Sequence, residues 1–194
     1  MSKSKDRVVV VTGAAAGIGL GITKEFVRHG YPVAMLDMQT ELLEQEAERL
    51  RAGGARVETY TLDVTNRQQI DDAYTAIRRK LGPISIVVPN AGFSEMIPFT
   101  MMTADRWQRI IDINLTGVFH TVQAAVQDMI DAKWGRIVTI SSHAGVSGGP
   151  MQAHYSAAKG GVIGFTKSLA RELAVHGITV NTVPPSVVET PAMH

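Results

Sequence analysis

RVVVVTGAAAGIG, the stretch Arg7–Gly19, begins as a run of branched apolar residues and breaks into a glycine-rich turn that opens a helical pattern. Because Val8–Val11 are apolar without alternation, they predict a strand covered on both faces, in the middle of a parallel sheet. Gly13, Gly17 and Gly19 then permit a sharp turn, close approach of a ligand and tight packing of a helix on a strand. The first-turn N–H groups of that helix favour an anion, most naturally a pyrophosphate. Three glycines alone fit an ordinary glycine-rich turn about as well as a phosphate-binding loop. The motifs in the rest of the chain decide between these two alternatives.

The composition is that of an ordinary globular protein. The 194 residues, 45% hydrophobic and 19% charged, suffice for a sizeable core, and we expect one domain over residues 1–194. With 19 Lys and Arg against 18 Asp and Glu, the net charge of +1 disfavours nucleic acid and anionic membranes as partners. The lack of cysteine excludes disulfides, thiolate zinc sites and a cysteine nucleophile, and we assign no metal site. The first residues lack the apolar core of a signal peptide and no apolar run could cross a bilayer, so we expect a cytoplasmic protein.

Strand-like and helix-like segments alternate along the chain with short turns between them. This alternation predicts an α/β fold: a doubly wound parallel sheet of the Rossmann type, in three layers. The predicted strands are 8–11, 31–36, 57–62, 84–88, 135–140 and 178–183. The predicted helices are 17–29, 40–52, 67–81, 103–132 and 152–175.

Asp37 follows the second predicted strand, about 20 residues beyond the glycines, where a dinucleotide-binding fold hydrogen-bonds the adenosine ribose. A carboxylate there repels a 2′-phosphate, and neither Ala16 nor Met38 supplies the Arg that would attract one. We therefore expect NAD rather than NADP. An N-cap for the next helix is the alternative role for Asp37, and the preceding glycine loop favours the ribose.

Tyr155 and Lys159 are four residues apart on a predicted helix, so they share one face about 6 Å apart along its axis. Lowering the pKa of a phenol from about 10 to about 7 requires about 4 kcal/mol. One ammonium at about 4 Å, in an effective dielectric of about 20, supplies that amount. Tyr155 is thus predicted to be a general base toward an alcohol, or the acid that protonates a ketone oxygen. Ser142, just after the fifth strand, is expected to reach the same oxygen. The spacing alone is a weak signal, since such pairs usually face water.

Asn114 lies in an otherwise apolar helical stretch. A buried amide needs hydrogen-bond partners, which predicts a structural role or a bond to a neighbouring carbonyl that opens the helix and holds a water.

Taken together, these motifs resemble the short-chain dehydrogenase/reductase family over essentially the whole chain. The spacing GxxxGxG is similar to its compact, single-domain branch. The matching residues, in family order, are Thr12-Gly13, Gly17-Ile18-Gly19, Asp37, Asp63-Val64, Asn90-Ala91-Gly92, Asn114, Ser142, Tyr155-Ser156-Ala157-Ala158-Lys159 and Val180-Asn181.

The resemblance implies a catalytic role for four side chains. Tyr155 would be the proton donor or acceptor, and Ser142 would polarise the substrate oxygen. Lys159 would bind the nicotinamide ribose and lower the pKa of the tyrosine. Asn114 would hold a water that relays protons to solvent.

The resemblance also implies a set of cofactor contacts. Asp63 and Val64 would flank the adenine, the backbone of Ile18 would meet the pyrophosphate, and Val188 and Thr190 would hold the nicotinamide carboxamide. The cofactor-binding residues are then Gly13, Gly17, Ile18, Gly19, Asp37, Asp63, Val64, Asn90, Ala91, Gly92, Tyr155, Lys159, Pro185, Val188 and Thr190. The family usually has glycine where this chain has Ser186, so we expect a shifted turn there.

Three functions remain open from the sequence. The leading one is an NAD(H)-dependent oxidoreductase that interconverts a secondary alcohol and a ketone. A 3-oxoacyl thioester reductase is the second, because YSAAKGGVIGFTKSLARELA (155–174) is similar to that branch, although most of those enzymes use NADPH. A catalytically silent dinucleotide-binding module is the third.

The substrate side and the assembly are expected only in outline. The family resemblance implies a further substrate-binding segment, helix and seventh strand beyond His194, so we expect a truncated chain or a natural short form. It also implies a homodimer or homotetramer, for which Ile111, Val118, Val122, Val162 and Phe165 would serve equally well as interface or core.

His143 and His154 are expected to be structural. Candidate substrate-lining residues are Phe93, Ser94, Met96, His143, Gly149, Met151 and Gln152, a mixture that suits an apolar alcohol or ketone.

Overall fold

The computed structural model describes residues 6–188 and contains a six-stranded sheet. The strand order is β3-β2-β1-β4-β5-β6, and every neighbouring pair is parallel. This is the order of a Rossmann sheet, so the predicted doubly wound fold is confirmed, with β1 in the middle. The strands are β1 (Val8–Thr12), β2 (Val33–Asp37), β3 (Val57–Thr61), β4 (Ile84–Val88), β5 (Gly135–Ile140) and β6 (Ile178–Val183).

Helices cover both faces of the sheet. They are α1 (Gly17–Arg28), α2 (Thr40–Ala52), α3 (Arg67–Lys80), α4 (Ala104–Ile111), α5 (Gly117–Asp131), α6 (Ala144–Ser147) and α7 (Ala153–Leu173), with short 3₁₀ segments at Phe99–Met101 and Ala174–His176. In the part of the chain that the structure describes, none of these helices combines the length and the apolarity needed to cross a membrane.

The four valines of β1 explain why this strand is central. All four side chains are fully buried. Val8 and Val10 pack in the cluster that contains residues of α3, α5 and α7, whereas Val9 and Val11 pack in the cluster with α1 and α2. Burying each side chain contributes about 1.5 kcal/mol or more. An unalternated run of valines is stable here because both faces of the strand are core.

The predicted helix over residues 103–132 is interrupted by a π-helical segment. After α4, the backbone forms a π-helical turn at Asp112–Thr116 and then continues as α5. Within this turn Asn114 is completely buried. Single π-turns inside α-helices are frequent at functional sites, so the interruption is consistent with a functional role for Asn114.

Five apolar helix residues were predicted to serve equally well at a subunit interface or in the core, and most of them are core residues. Val118, Val122 and Val162 are at most 2% exposed, and Phe165 packs against the core cluster that contains Val122. These three valines are therefore unavailable to a partner subunit.

Candidate active site

The glycine loop packs tightly against the turn that follows β4. A Cβ atom on Gly19 would lie 2.0 Å from the carbonyl oxygen of Gly13, and a Cβ on Gly13 would lie 2.9 Å from the Cα of Ala91. Gly13 and Gly17 also adopt positive φ angles of 65° and 55°. These glycines are needed both for the backbone conformation and for close packing of the loop.

The side chains of Asn90 and Thr12 tie the ends of β1 and β4 together. Asn90 Nδ2 donates to the carbonyls of Thr12 and Gly13 at 3.0 and 3.2 Å. Thr12 Oγ1 accepts from the backbone N–H groups of Asn90 and Ala91, each at 3.0 Å. The strand order reverses between β1 and β4, and this is where an open α/β sheet forms its binding crevice.

The N-terminus of α1 is open toward this crevice. Its N-cap is Ala16, which has no side chain capable of capping, and the first turn carries no acidic residue. Gly17 and Ile18 line the cleft. The first N–H groups of the helix and its dipole therefore favour an anion at this position.

Asp37 holds the loop to the start of the next helix. Its Oδ2 accepts from Ala15 N and its Oδ1 accepts from Gln39 N, both at 3.0 Å. The N-cap of α2 is Gln39, so Asp37 is not the N-cap that was its alternative role. Each carboxylate oxygen keeps a free lone pair for a further donor such as a ribose hydroxyl.

One cleft of about 1470 Å³ runs along the carboxyl ends of the strands. Gly19 and Asn114 do not line it, since both are buried behind its wall, and Thr190 lies outside the described residues. The predicted site residues that do line it are Gly13, Gly17, Ile18, Asp37, Asp63, Val64, Asn90, Ala91, Gly92, Ser142, Tyr155, Lys159, Pro185 and Val188.

Tyr155 and Lys159 lie side by side at the end of β5. Lys159 Nζ is 5.7 Å from the centre of the Tyr155 ring and donates to the carbonyl of Ile140 at 2.9 Å. The short helix α6 presses against this point, because a Cβ on Gly145 would lie 2.6 Å from the carbonyl carbon of Lys159. Packing thus fixes the lysine where the predicted spacing placed it.

Burial moves the pKa values of both residues in directions that the spacing did not predict. It raises the pKa of the Tyr155 phenol, while a hydrogen bond with Ser142 lowers it. Burial also lowers the pKa of the Lys159 ammonium to about 8. We expected Lys159 to lower the pKa of the tyrosine, but desolvation of the phenol dominates.

Asn114 uses its amide to hold the segment after β4. Its Nδ2 donates to the carbonyls of Phe93 and Ile110 at 2.8 and 3.1 Å, and its Oδ1 accepts from Phe93 N at 3.3 Å. Gly92 allows this approach, since a Cβ there would lie 2.8 Å from Asn114 Oδ1 and 3.4 Å from Lys159 Nζ. The bond to a neighbouring carbonyl in an opened helix is as predicted.

The turn after β6 forms one wall of the cleft. The carbonyl of Pro185 accepts from His143 N at 2.8 Å. Among residues 6–188, positive φ angles outside glycine occur only at Lys133 and Met151, so Ser186 does not need the conformational freedom of glycine. The backbone at Ser186 therefore gives no reason for the shifted turn that we expected from serine in place of the family's usual glycine.

The substrate-side predictions are partly met. Gly149 and Met151 do not line the cleft. Arg109, which sequence reasoning missed, lines it with its guanidinium 5.1 Å from the centre of the Phe93 ring. Its place depends on how α4 packs over the β4 turn, which no local pattern encodes. The predicted residues that do line the cleft are Phe93, Ser94, Met96, His143 and Gln152.

The residues present fit a nicotinamide dinucleotide. The cleft joins an uncapped helix N-terminus, suited to a pyrophosphate, with the Asp37 carboxylate, suited to a ribose. The same cleft contains Tyr155 and Lys159. Among its described lining residues the cationic side chains are Arg109 and Lys159, and neither lies beside Asp37 in sequence or on its strand.

Comparison with known proteins agrees with this geometry. A family model described as short chain dehydrogenase matches residues 7–194. The chain is 39% identical over 185 residues to a 3-oxoacyl-(acyl-carrier-protein) reductase of Thermotoga maritima, covering 95% of this chain and 75% of that protein. It is 35% identical over 192 residues to 2-(S)-hydroxypropyl-CoM dehydrogenase 3 of Xanthobacter autotrophicus, covering 99% and 75%.

A solved structure of NAD⁺-bound xylitol dehydrogenase is also similar. It superimposes with a TM-score of 0.94 at 34% identity, over 99% of this chain and 74% of that one. The family match and these relatives together confirm the resemblance read from the motifs. The chain belongs to the short-chain dehydrogenase family of oxidoreductases.

Proposed function

We propose that this protein is an NAD(H)-dependent oxidoreductase that interconverts a secondary alcohol and a ketone. One observation carries the proposal: Tyr155 lies beside Lys159 in the cleft that also contains Asp37 and the open N-terminus of α1. This arrangement puts a proton-transfer group in the same cavity as a dinucleotide site. We further propose that residues 1–194 act as one domain and that the protein assembles as a homodimer or homotetramer, as its family resemblance implies.

The chain's own residues supply the proton chemistry. A bound nicotinamide dinucleotide supplies the hydride for the carbonyl carbon, or accepts it from the alcohol. Tyr155 gives its hydroxyl proton to the ketone oxygen, and in the reverse direction it takes the proton of the alcohol. Ser142 donates a hydrogen bond to the same oxygen. Because burial raises the pKa of Tyr155, its phenol is protonated at neutral pH and ready to act as the acid.

Lys159 and Asn114 return the proton to Tyr155. With a pKa of about 8, Lys159 exchanges its proton near neutral pH, and its ammonium also binds the nicotinamide ribose. Asn114, in the π-helical turn, holds the water that connects this lysine to solvent. These roles follow the family resemblance and are supported by the approach of both side chains to Gly92.

The cofactor preference is proposed to depend on the Asp37 carboxylate. An Asp37→Asn variant keeps the shape of the side chain and removes the charge that repels a 2′-phosphate. We expect the ratio of kcat/KM with NADPH to kcat/KM with NADH to rise about tenfold or more, since such repulsion is worth about 1–4 kcal/mol at close range. Steady-state kinetics with both cofactors measures the ratio.

Asp63→Asn is the matched control, because Asp63 lines the same cleft and, by the family resemblance, would flank the adenine rather than the ribose. It should change the affinity for both cofactors alike. If the wild type already prefers NADPH, or if Asp37→Asn leaves the ratio unchanged, Asp37 does not select the cofactor.

The second candidate is a 3-oxoacyl thioester reductase. It is favoured by the 39% identity to the reductase of Thermotoga maritima. We expect the protein with NADH to reduce apolar ketones with a higher kcat/KM than a 3-oxoacyl thioester, measured as NADH consumption across a panel of both. Preference for the thioester would establish the second candidate. NADH binding without turnover of any substrate would instead indicate a silent dinucleotide-binding module.

A further inference from the structure

His154 is a fully buried residue next to the proposed catalytic tyrosine, and the proton chemistry described above does not use it. Its Nδ1 atom accepts a hydrogen bond from the backbone N–H of Tyr155 at 2.9 Å. Its Nε2 atom has no hydrogen-bond partner among residues 6–188. A buried ring nitrogen without a partner is rare and calls for an explanation.

The hydrogen bond at Nδ1 assigns the tautomer of His154. A nitrogen that accepts from an N–H group carries no proton, so the ring proton is on Nε2. Nε2 points toward Glu95, whose Oε1 is 3.6 Å away, and Glu95 Oε2 is 3.7 Å from the guanidinium of Arg106. A distance of 3.6 Å is too long for a hydrogen bond, but a small movement would close it.

This near-contact joins two parts of the cleft. Glu95 belongs to the segment 93–97, whose Phe93, Ser94 and Met96 line the cleft, whereas His154 is in the first turn of α7 beside Tyr155. Two hydrogen bonds already link these parts. Ile97 N donates to the carbonyl of Met151 at 2.8 Å, and Gln152 Nε2 donates to Ser94 Oγ at 3.1 Å.

We propose that His154 and Glu95 are positioning residues for the reaction. When a ketone packs against segment 93–97, the His154 Nε2–H group donates to Glu95 Oε1, and this bond fixes the first turn of α7. The Tyr155 hydroxyl is thereby held toward the carbonyl oxygen. The inference rests on the proposed oxidoreductase function and adds to it a route from the substrate wall to the proton donor. Hydrogen bonds in active sites are often long until substrate is bound, which accounts for the open distance.

Two variants remove the contact from either side. His154→Asn keeps an acceptor near the Nδ1 position and loses the Nε2 donor, and Glu95→Ala removes the acceptor. Since a misplacement of about 1 Å costs about 100-fold in rate, we expect kcat to fall about 10- to 100-fold in each variant, with the Kd for NADH unchanged. The double variant should lose no more than either single variant, because all three lack the same bond.

Two further variants separate positioning from a general structural effect. Glu95→Gln keeps an oxygen acceptor and should recover most of the lost kcat. Glu48→Ala removes an exposed carboxylate on α2 and should leave kcat at the wild-type value. Unchanged kcat in both single variants, or losses that multiply in the double variant, would overturn the proposal.

A second measurement does not depend on turnover. In ¹⁵N NMR of the protein with labelled histidine, His154→Asn identifies the signals of this residue among the six histidines. We expect Nδ1 unprotonated and Nε2 protonated, with a change in the Nε2 signal in Glu95→Ala. An Nδ1-protonated ring, or no response to Glu95→Ala, would overturn the proposal. If only the proposed oxidoreductase function is wrong, the wild type will turn over no ketone, but the NMR signals will still show the expected His154 tautomer and its response to Glu95→Ala.

Discussion

Tyr155→Phe is expected to lower kcat by about 10²- to 10⁴-fold, the range that a positioned general acid or base contributes. The variant keeps the ring next to Lys159 and removes only the hydroxyl that we propose exchanges the proton. The affinity for NADH should remain near the wild-type value. Stopped-flow or steady-state assays of ketone reduction, with a fluorescence titration of NADH, measure both quantities.

Tyr60→Phe is the matched control for this loss. The Tyr60 hydroxyl is buried on β3 and has no hydrogen-bond partner among residues 6–188, so its removal should leave turnover unchanged. Undiminished turnover in Tyr155→Phe would mean that another group transfers the proton. A parallel loss of NADH binding would instead mean that the hydroxyl acts mainly by holding the cofactor and not by transferring the proton.

Replacing Lys159 by Met should change the free energy of unfolding more favourably at neutral pH than at alkaline pH, when the variant is compared with the wild type at the same pH. In the folded protein, burial lowers the pKa of Lys159 from 10.5 to about 8. Between pH 8 and 10.5 the unfolded chain therefore binds more protons than the folded one, so the wild type gains stability as the pH rises. Below pH 8 both states are protonated and the burial penalty is fully present.

The size of this effect follows from the same pKa values. Each pKa unit is worth about 1.4 kcal/mol, so the difference in free energy of unfolding between variant and wild type should change by about 2–3 kcal/mol between pH 7 and pH 10. Urea denaturation of both proteins at these two pH values measures it. Lys80→Met is the control: Lys80 bonds Glu58, which raises rather than lowers its pKa, and its variant should show no such change. A pH-independent difference for Lys159→Met would show that the buried lysine is not strained electrostatically.

Much of the fold follows from local sequence. The unalternated valines of β1 identified the central strand because a strand that is core on both faces cannot alternate. Strand and helix periods then located the remaining elements to within a few residues. The four-residue α6 and the π-helical turn at Asp112–Thr116 were not located in this way. Segments this short carry too few residues to show a period.

Part of the candidate site is also predictable from local spacing along the chain. Helical spacing placed Tyr155 beside Lys159, and the strand ends placed Asp37 in the same cleft. Spacing says nothing about burial, so the direction of the pKa change at Tyr155 was wrong. The proximity of His154 to Glu95 joins residues that are far apart in sequence, and only the packed fold reveals it.

Hydride transfer to a ketone is the central claim, and an isotope label tests it most directly. NADH carrying deuterium at the transferable C4 position is mixed with the protein and an apolar ketone, and the product is analysed by mass spectrometry. We expect a secondary alcohol with deuterium on the carbinol carbon, formed by the wild type and lost in Tyr155→Phe. An alcohol without the label, or no alcohol from any ketone while NADH is bound, would contradict it.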